Sequence, residues 1–296
     1  MGKCTQCPRQ CGIDREGGQI GFCGVPAGFR VARAALHPWE EPFISGQKGS
    51  GTIFFCGCNL QCVFCQNREI SRGGAGKTIG ADALAKLMLR LRDAGAHNIN
   101  LVTPSHYAEQ LVPVLKKVKP ILGIPVVYNC GGYEKVETLR KLEGLVDIYL
   151  PDFKYYSSEL AQKYSGAADY FEVALEALGE MIRQCGAPVF DENGMLNRGV
   201  VVRHLVRPGA RSDSFKVLNA LAQRFGTQAF LLSLMSQYTP DFAIDCPYTE
   251  LRRKLTTFEY QSVAREAERL GFDGCLQSRS AADAAYTPDF YEESFL

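Results

Sequence analysis

Three cysteines stand at a spacing that suits open-site metal chemistry: Cys58, Cys62 and Cys65, a C-x3-C-x2-C run. A structural zinc or an ordinary iron–sulfur cluster takes four protein ligands. Three thiolates on one tight loop reach three corners of a cubane and leave the fourth iron free. An open iron can bind a small chelating molecule, because a catalytic metal keeps one coordination position available. The competing reading is a zinc knuckle whose fourth ligand is Cys56 or a distant residue. Cys56 stands two residues before Cys58, on the same side of an extended strand, and so could approach the metal. A buried thiol is its plainer role.

A second group, Cys4, Cys7, Cys11 and Cys23, offers four thiolates in a glycine-rich stretch. Four ligands close a site, so these predict a structural zinc or an auxiliary iron–sulfur cluster. Either would tie down a segment that lacks an apolar core of its own. Cys130, Cys185, Cys246 and Cys275 stand alone among the 12 cysteines and read as small buried apolar residues.

The rest of the composition narrows the setting. A chain of 296 residues, 46% apolar, can bury a sizeable core in one large domain or a domain with an appendage. A formal net charge of +1 argues against electrostatic capture of nucleic acid or a membrane surface. Apolar runs such as Val200 to Val202 are too short to cross a bilayer. The start of the chain lacks the apolar stretch of a secretory signal, and Gln6 breaks the myristoylation pattern. The expectation is a cytoplasmic protein, where clustered cysteines mean metal or redox chemistry rather than disulfides.

The elements that must position these thiols are legible from about Thr52 onward. Thr52–Phe55, Asn98–Thr103, Pro125–Asn129, Val146–Leu150, Gly199–Val206 and Ala229–Leu234 read as strands, with a final short one near Cys275–Gln277. Helical spacing marks Ala81–Ala94, Tyr107–Val118, Glu134–Leu142, Leu160–Ser165, Phe171–Gln184, Ser214–Phe225 and a long Tyr248–Leu270. The alternation favours parallel strands with right-handed crossovers. Six good strands fit a doubly wound sheet or an open barrel equally well. Residues 1 to 50 show little periodicity and read as a Cys-rich N-terminal extension; residues 51 to 296 read as the main unit. Gly73, Gly74, Gly76, Lys77 and Thr78 look like the end of a phosphate loop. Ser71 stands where that loop needs glycine and no strand leads in, so the stretch reads as a flexible linker.

The cysteine spacing, with Phe64 before the last cysteine, resembles the radical S-adenosylmethionine (radical SAM) superfamily. The surrounding residues, Phe54–Asn67, resemble its PflX branch, relatives of pyruvate formate-lyase activating enzyme. The likeness continues through Asn100–Tyr107, Tyr128–Asn129 with Gly131–Glu134, Asp152–Tyr155, Arg203–Val206 before Pro208-Gly209, and Ser233–Met235 before Gln237-Tyr238. It implies an incomplete (β/α)6 barrel with a [4Fe–4S] cluster at the C-terminal mouth of the strands, where such folds place chemistry. S-adenosylmethionine (SAM) would supply the amino and carboxylate groups that occupy the open iron. An external one-electron donor, such as flavodoxin or ferredoxin, is implied too. The substrate would be a backbone glycine on a partner protein or an unidentified molecule.

The same resemblance carries Asp152, Lys154 and Arg203 over as residues of the SAM region, where a salt bridge between strand ends is the alternative reading. Asn129 falls where the relatives carry an acidic residue, and a monovalent cation belonging to that pattern loses its support. Thr103 and Ser105 occupy the second-strand end, where many members place Gly-Gly-Glu; they could meet the amino group of SAM only through hydroxyl or backbone contacts. His106 and His204 could move protons, although a lone histidine is more often structural. A non-catalytic electron-transfer protein with two clusters explains eight clustered cysteines. It does not explain a three-ligand loop, nor Asp152, Lys154 and Arg203. A zinc-stabilised interaction module is the third reading.

Overall fold

The computed structural model describes residues 3–74, 76–277, 290, 294 and 295. The unit expected over 51–296 therefore runs past Gln277 into residues that mostly lie outside the described set. In chain order the elements are β1 (Phe29–His37), α1 (Pro42–Ser45), β2 (Ser50–Phe55), α2 (Arg68–Ser71), β3 (Lys77–Ile79), α3 (Ala81–Asp93) and β4 (Ile99–Val102). Next come α4 (Ala108–Leu122), β5 (Val126–Cys130), α5 (Val136–Arg140), β6 (Ile148–Pro151), α6 (Ser158–Ser165) and α7 (Tyr170–Cys185). The chain closes with β7 (Val189–Phe190), β8 (Leu196–Leu205), α8 (Arg211–Phe225), β9 (Leu231–Met235), α9 (Thr257–Leu270) and β10 (Gly274–Leu276).

The strand order is β10-β9-β8-β6-β5-β4-β2-β1-β3. From β2 to β10 every neighbouring pair is parallel, as βαβ crossovers require. The six expected strands correspond to β2, β4, β5, β6, β8 and β9, and the order ends open at β10 and β3. The architecture is an unclosed α/β barrel with a cysteine-rich N-terminus. Among the described residues no helix is long and apolar enough to cross a membrane.

Two apolar cores follow from the strands' two faces. The larger lies between the sheet and its helices, and includes Leu84, Met88 and Leu91 of α3 with Leu111 and Leu115 of α4. The smaller gathers Val127, Ile148, Leu150, Val201 and Leu231 around Ile44, with Phe43 packed against it. These strand residues share the inner face, so α1 plugs the interior. The Asn98 amide donates to the Ile44 carbonyl at 2.8 Å and fixes the plug near the strands' N-terminal ends.

Three local expectations change. β1, nine residues of a segment that showed little periodicity, pairs antiparallel with β2 between Val31 and His37. Lys77 and Thr78, taken as linker, form with Ile79 an edge strand beside β1. Tyr248–Leu270 is not one helix: a short 3-10 turn covers Thr249–Arg252 and α9 starts afresh after Thr256. There the Thr256 side chain accepts from the Glu259 amide and Glu259 bonds back to Thr256, a capping box that defines a new N-terminus.

Candidate functional site

A cavity of about 210 Å³ opens at the C-terminal ends of the parallel strands, and Cys58, Cys62 and Cys65 all line it. The loop that carries them leaves β2 through Gly57, whose φ is +86°. A Cβ there would stand 2.6 Å from the Cys23 carbonyl oxygen, so only glycine lets the two loops touch. The Leu60 amide donates to Cys58 Sγ at 3.3 Å and the Cys65 amide donates to the Cys62 carbonyl at 3.1 Å. Phe64 packs among Tyr155, Tyr164 and Tyr238 and anchors the loop.

Burial, then the neighbouring Cys62 and Cys65 sulfurs, push the Cys58 thiol up to about 12. Burial and Cys62 push Cys65 up to about 11, with Lys154 pulling the other way. Three sulfurs therefore crowd one dry wall, where thiolates repel unless a cationic group binds them. Among the described residues, no group of three or more His, Cys, Asp or Glu side chains is arranged to hold a single metal ion. A cubane would bind each of three thiolates through a different iron, and three thiols of one loop lining one cavity suit it. The donor set fits a site-open iron–sulfur cluster.

Across the cavity stands an ion array built at the strand ends. Arg203 of β8 donates to Asp152 Oδ1 at 2.9 Å, and Lys154 Nζ reaches Asp152 Oδ2 at 2.5 Å. Arg203 also donates to Asn129 Oδ1 at 2.5 Å. A parallel bridge between Asp152 and Arg203 fixes the backbones beneath these contacts. Burial alone would raise the Asp152 carboxyl, but Arg203 and Lys154 outweigh it and hold it below the ordinary value. Burial would lower Lys154, and Asp152 with Cys62 keeps it raised instead. Both cations stay charged at neutral pH. Gly132, with φ +79°, lets β5's end turn against this array: a Cβ would lie 2.2 Å from the Asp152 carbonyl oxygen.

Glu40 completes the array and was not visible as a site residue in the sequence. It lies in the turn between β1 and α1, and its carboxylate meets Arg203 Nη1 at 3.4 Å. The same carboxylate accepts from Asn100 at 2.9 Å and Asn129 at 3.4 Å. It enters from the plugged end of the barrel, which no local spacing announces. Thr103 lines the cavity with φ 58°, a rare backbone state for a β-branched residue.

Other sequence candidates are carried elsewhere. Ser105 does not line the cavity. Pro104 starts a 3-10 turn that swings Ser105 outward, where its hydroxyl donates to buried Glu134. His106 Nε2 lies 2.8 Å from the Cys56 carbonyl oxygen, and burial with Arg15 lowers its imidazole to about 3. His204 spans the Phe153 carbonyl and the Ser214 hydroxyl at 2.7 and 2.9 Å, and burial lowers it to about 4. Both rings are neutral struts outside the cavity lining. Cys56 is fully buried and also absent from that lining.

The N-terminal thiols gather on the outer side of the same loop. Burial pushes Cys7 up to about 12, with Cys4 and Cys11 adding to it, and burial with Cys4 and Cys11 raises Cys23. The Cys58 amide donates to the Cys23 carbonyl at 3.2 Å, and Gln61 Nε2 donates to the Phe22 carbonyl at 2.5 Å. Arg9 donates to the Asn59 carbonyl at 2.8 Å.

Comparison with known proteins agrees with this geometry. A sequence model of the radical SAM superfamily matches residues 52–198. The chain is 31% identical over 283 residues to an uncharacterized protein of Methanocaldococcus jannaschii, covering 91% of this chain and 75% of that one. The structure of methylornithine synthase is similar at 17% identity and TM-score 0.50, covering 74% of this chain and 60% of that one. This chain thus spans less than two thirds of that protein. A radical SAM methyltransferase from Sphaerobacter thermophilus is similar at 14% identity and TM-score 0.50, over 77% of this chain and 66% of that one. These two structural likenesses speak for the fold. The match over residues 52–198 shows that this chain belongs to the radical SAM superfamily.

Proposed function

We propose that Cys58, Cys62 and Cys65 hold a [4Fe–4S] cluster and that Asp152, Lys154 and Arg203 bind SAM beside it, with Thr103 and Asn129 on the same wall. The observation that carries this reading is that the three cysteines and the ion array line one cavity. When bound, such a cluster supplies one electron that splits SAM into methionine and a 5′-deoxyadenosyl radical. The protein's own work is positional. Lys154 and Arg203 offer fixed positive charge to the SAM carboxylate in a site where solvent screens little. Asp152 and Glu40 hold those cations in register and face the ligand's own positive charge.

The hydrogen donor is then a protein glycine, as the likeness to the PflX branch and the activating enzymes implies, or another substrate of the radical. An external one-electron carrier of the flavodoxin or ferredoxin type supplies the electron. Cys4, Cys7, Cys11 and Cys23 would form a second metal centre, zinc or a second [4Fe–4S] cluster, in a Cys-rich cap on the barrel. The four thiols are not arranged around one point, so binding would have to draw them together. What supports the reading is their mutual influence and the contact of Cys23 with the Cys58 backbone.

Anaerobically reconstituted, reduced protein should give a cluster EPR spectrum that changes when SAM is added. Arg203→Ala and Lys154→Ala should keep the iron and lose the change. A wild-type spectrum indifferent to SAM contradicts the reading.

A further inference from the structure

Cys62 is held by more than its own loop. Ser165, the last residue of α6, donates its hydroxyl to Cys62 Sγ at 2.9 Å. The Tyr155 hydroxyl lies 2.6 Å from Ser165 Oγ. Because the Ser165 proton points at sulfur, Tyr155 is the donor in that second bond. The result is a relay from Tyr155 through Ser165 to Cys62. Tyr155, Ser165 and Cys62 are 0%, 4% and 8% exposed, so water does not compete for these bonds.

The surroundings fix this geometry from several sides. The Val63 amide donates to the Tyr164 carbonyl at 2.9 Å, docking the cysteine loop on the end of α6. Arg9 bridges the two parts, donating to the Ser165 carbonyl at 2.7 Å and to the Asn59 carbonyl at 2.8 Å. A cation at the negative end of a helix is also favourable in itself. The Arg207 guanidinium sits 4.3 Å from the centre of the Tyr155 ring and holds it in place. A serine at the end of a helix ordinarily spends its hydroxyl on backbone or water. Here it is aimed at a sulfur.

We propose that the Tyr155–Ser165 hydroxyl pair raises the reduction potential of the cluster by donating to Cys62; this rests on the ligand assignment made above. Adding an electron increases negative charge on the cluster's sulfurs. A hydrogen bond to a ligand sulfur favours that reduced form, and a dry setting strengthens it. The reducing equivalent comes from the external one-electron carrier, and no atom is transferred. Ser165 and Tyr155 are positioning residues that act through Cys62.

The test is an EPR-monitored redox titration of full-length, anaerobically reconstituted protein, with iron counted for every sample. Ser165→Ala should lower the midpoint so that the reduced-to-oxidised ratio at a fixed potential falls about tenfold, about 59 mV for one electron. Tyr155→Phe should shift it the same way by less, and Ser165→Thr, which keeps the hydroxyl, should restore the wild-type value. An unchanged midpoint in Ser165→Ala at full iron content overturns the proposal and leaves the cluster assignment standing. Should Ser165→Ala fail to load, equal midpoints in Tyr155→Phe and wild type overturn the relay. Wild-type protein that assembles no EPR-active cluster overturns both.

Discussion

Glu40 and Arg203 form an ion pair at 3.4 Å although 163 residues separate them. The contact joins the plug below the barrel to the cation at its mouth. Arg203 keeps Asp152 when Glu40 is lost, so the cost is smaller than for breaking a lone buried pair. Glu40→Gln should weaken SAM binding about tenfold, about 1.4 kcal/mol, with the cluster's iron content unchanged. Calorimetric titration of the reconstituted protein with SAM measures it. Unaltered affinity would mean that Glu40 only fills space.

Glu134 gives a pH signature. It is buried behind β5, accepting from Ser105 and from Tyr128, the latter at 3.1 Å. Burial raises its carboxyl to about 7, with Ser105, Tyr128 and Cys130 offsetting part of the effect. The folded protein thus holds a proton that the unfolded chain releases near pH 4.5. Its contribution to stability is fully present below that value, declines as pH rises, and is lost above about pH 7. The loss is on the order of 3 kcal/mol. Denaturant titrations from pH 5 to 8 should show this slope in the wild type and a flatter one in Glu134→Gln. Parallel slopes would refute the assignment.

Those two carboxylates also mark what the sequence could tell. The strand ends were legible because hydrophobic runs stopped at Pro104, Gly131 and Asp152, and the cysteine spacing named its own chemistry. Glu40 was not, because its role comes from a plug that tertiary packing pushes between distant strands. Ser105 was misplaced for a local reason: one residue after Pro104, the chain turns, and a side chain expected in the cavity faces Glu134 instead. The break in Tyr248–Leu270 had a readable signal in Thr256 and Glu259, a capping pair inside an otherwise helical pattern. β1 alternates buried Phe29 and Val31 with partly exposed Arg30 and Ala32 and then loses the pattern, and the glycines and cysteines before it masked its strand character further.

The N-terminal thiols predict a separable metal. Cys4→Ala with Cys7→Ala should remove one centre, seen as loss of one zinc or of the second cluster's iron, while the Cys58, Cys62, Cys65 cluster stays. Elemental analysis alongside EPR distinguishes the two metals. Metal content identical to wild type would show that these cysteines bind none. Cys56→Ser, by contrast, should leave every metal in place, because that side chain does not line the cavity.

The most direct measurement is the product of SAM cleavage. Reconstituted protein, reduced and incubated with SAM without air, should release 5′-deoxyadenosine and methionine in equal amounts, and Cys62→Ala should release neither. A fully loaded, reduced wild-type cluster that yields no 5′-deoxyadenosine would contradict the account.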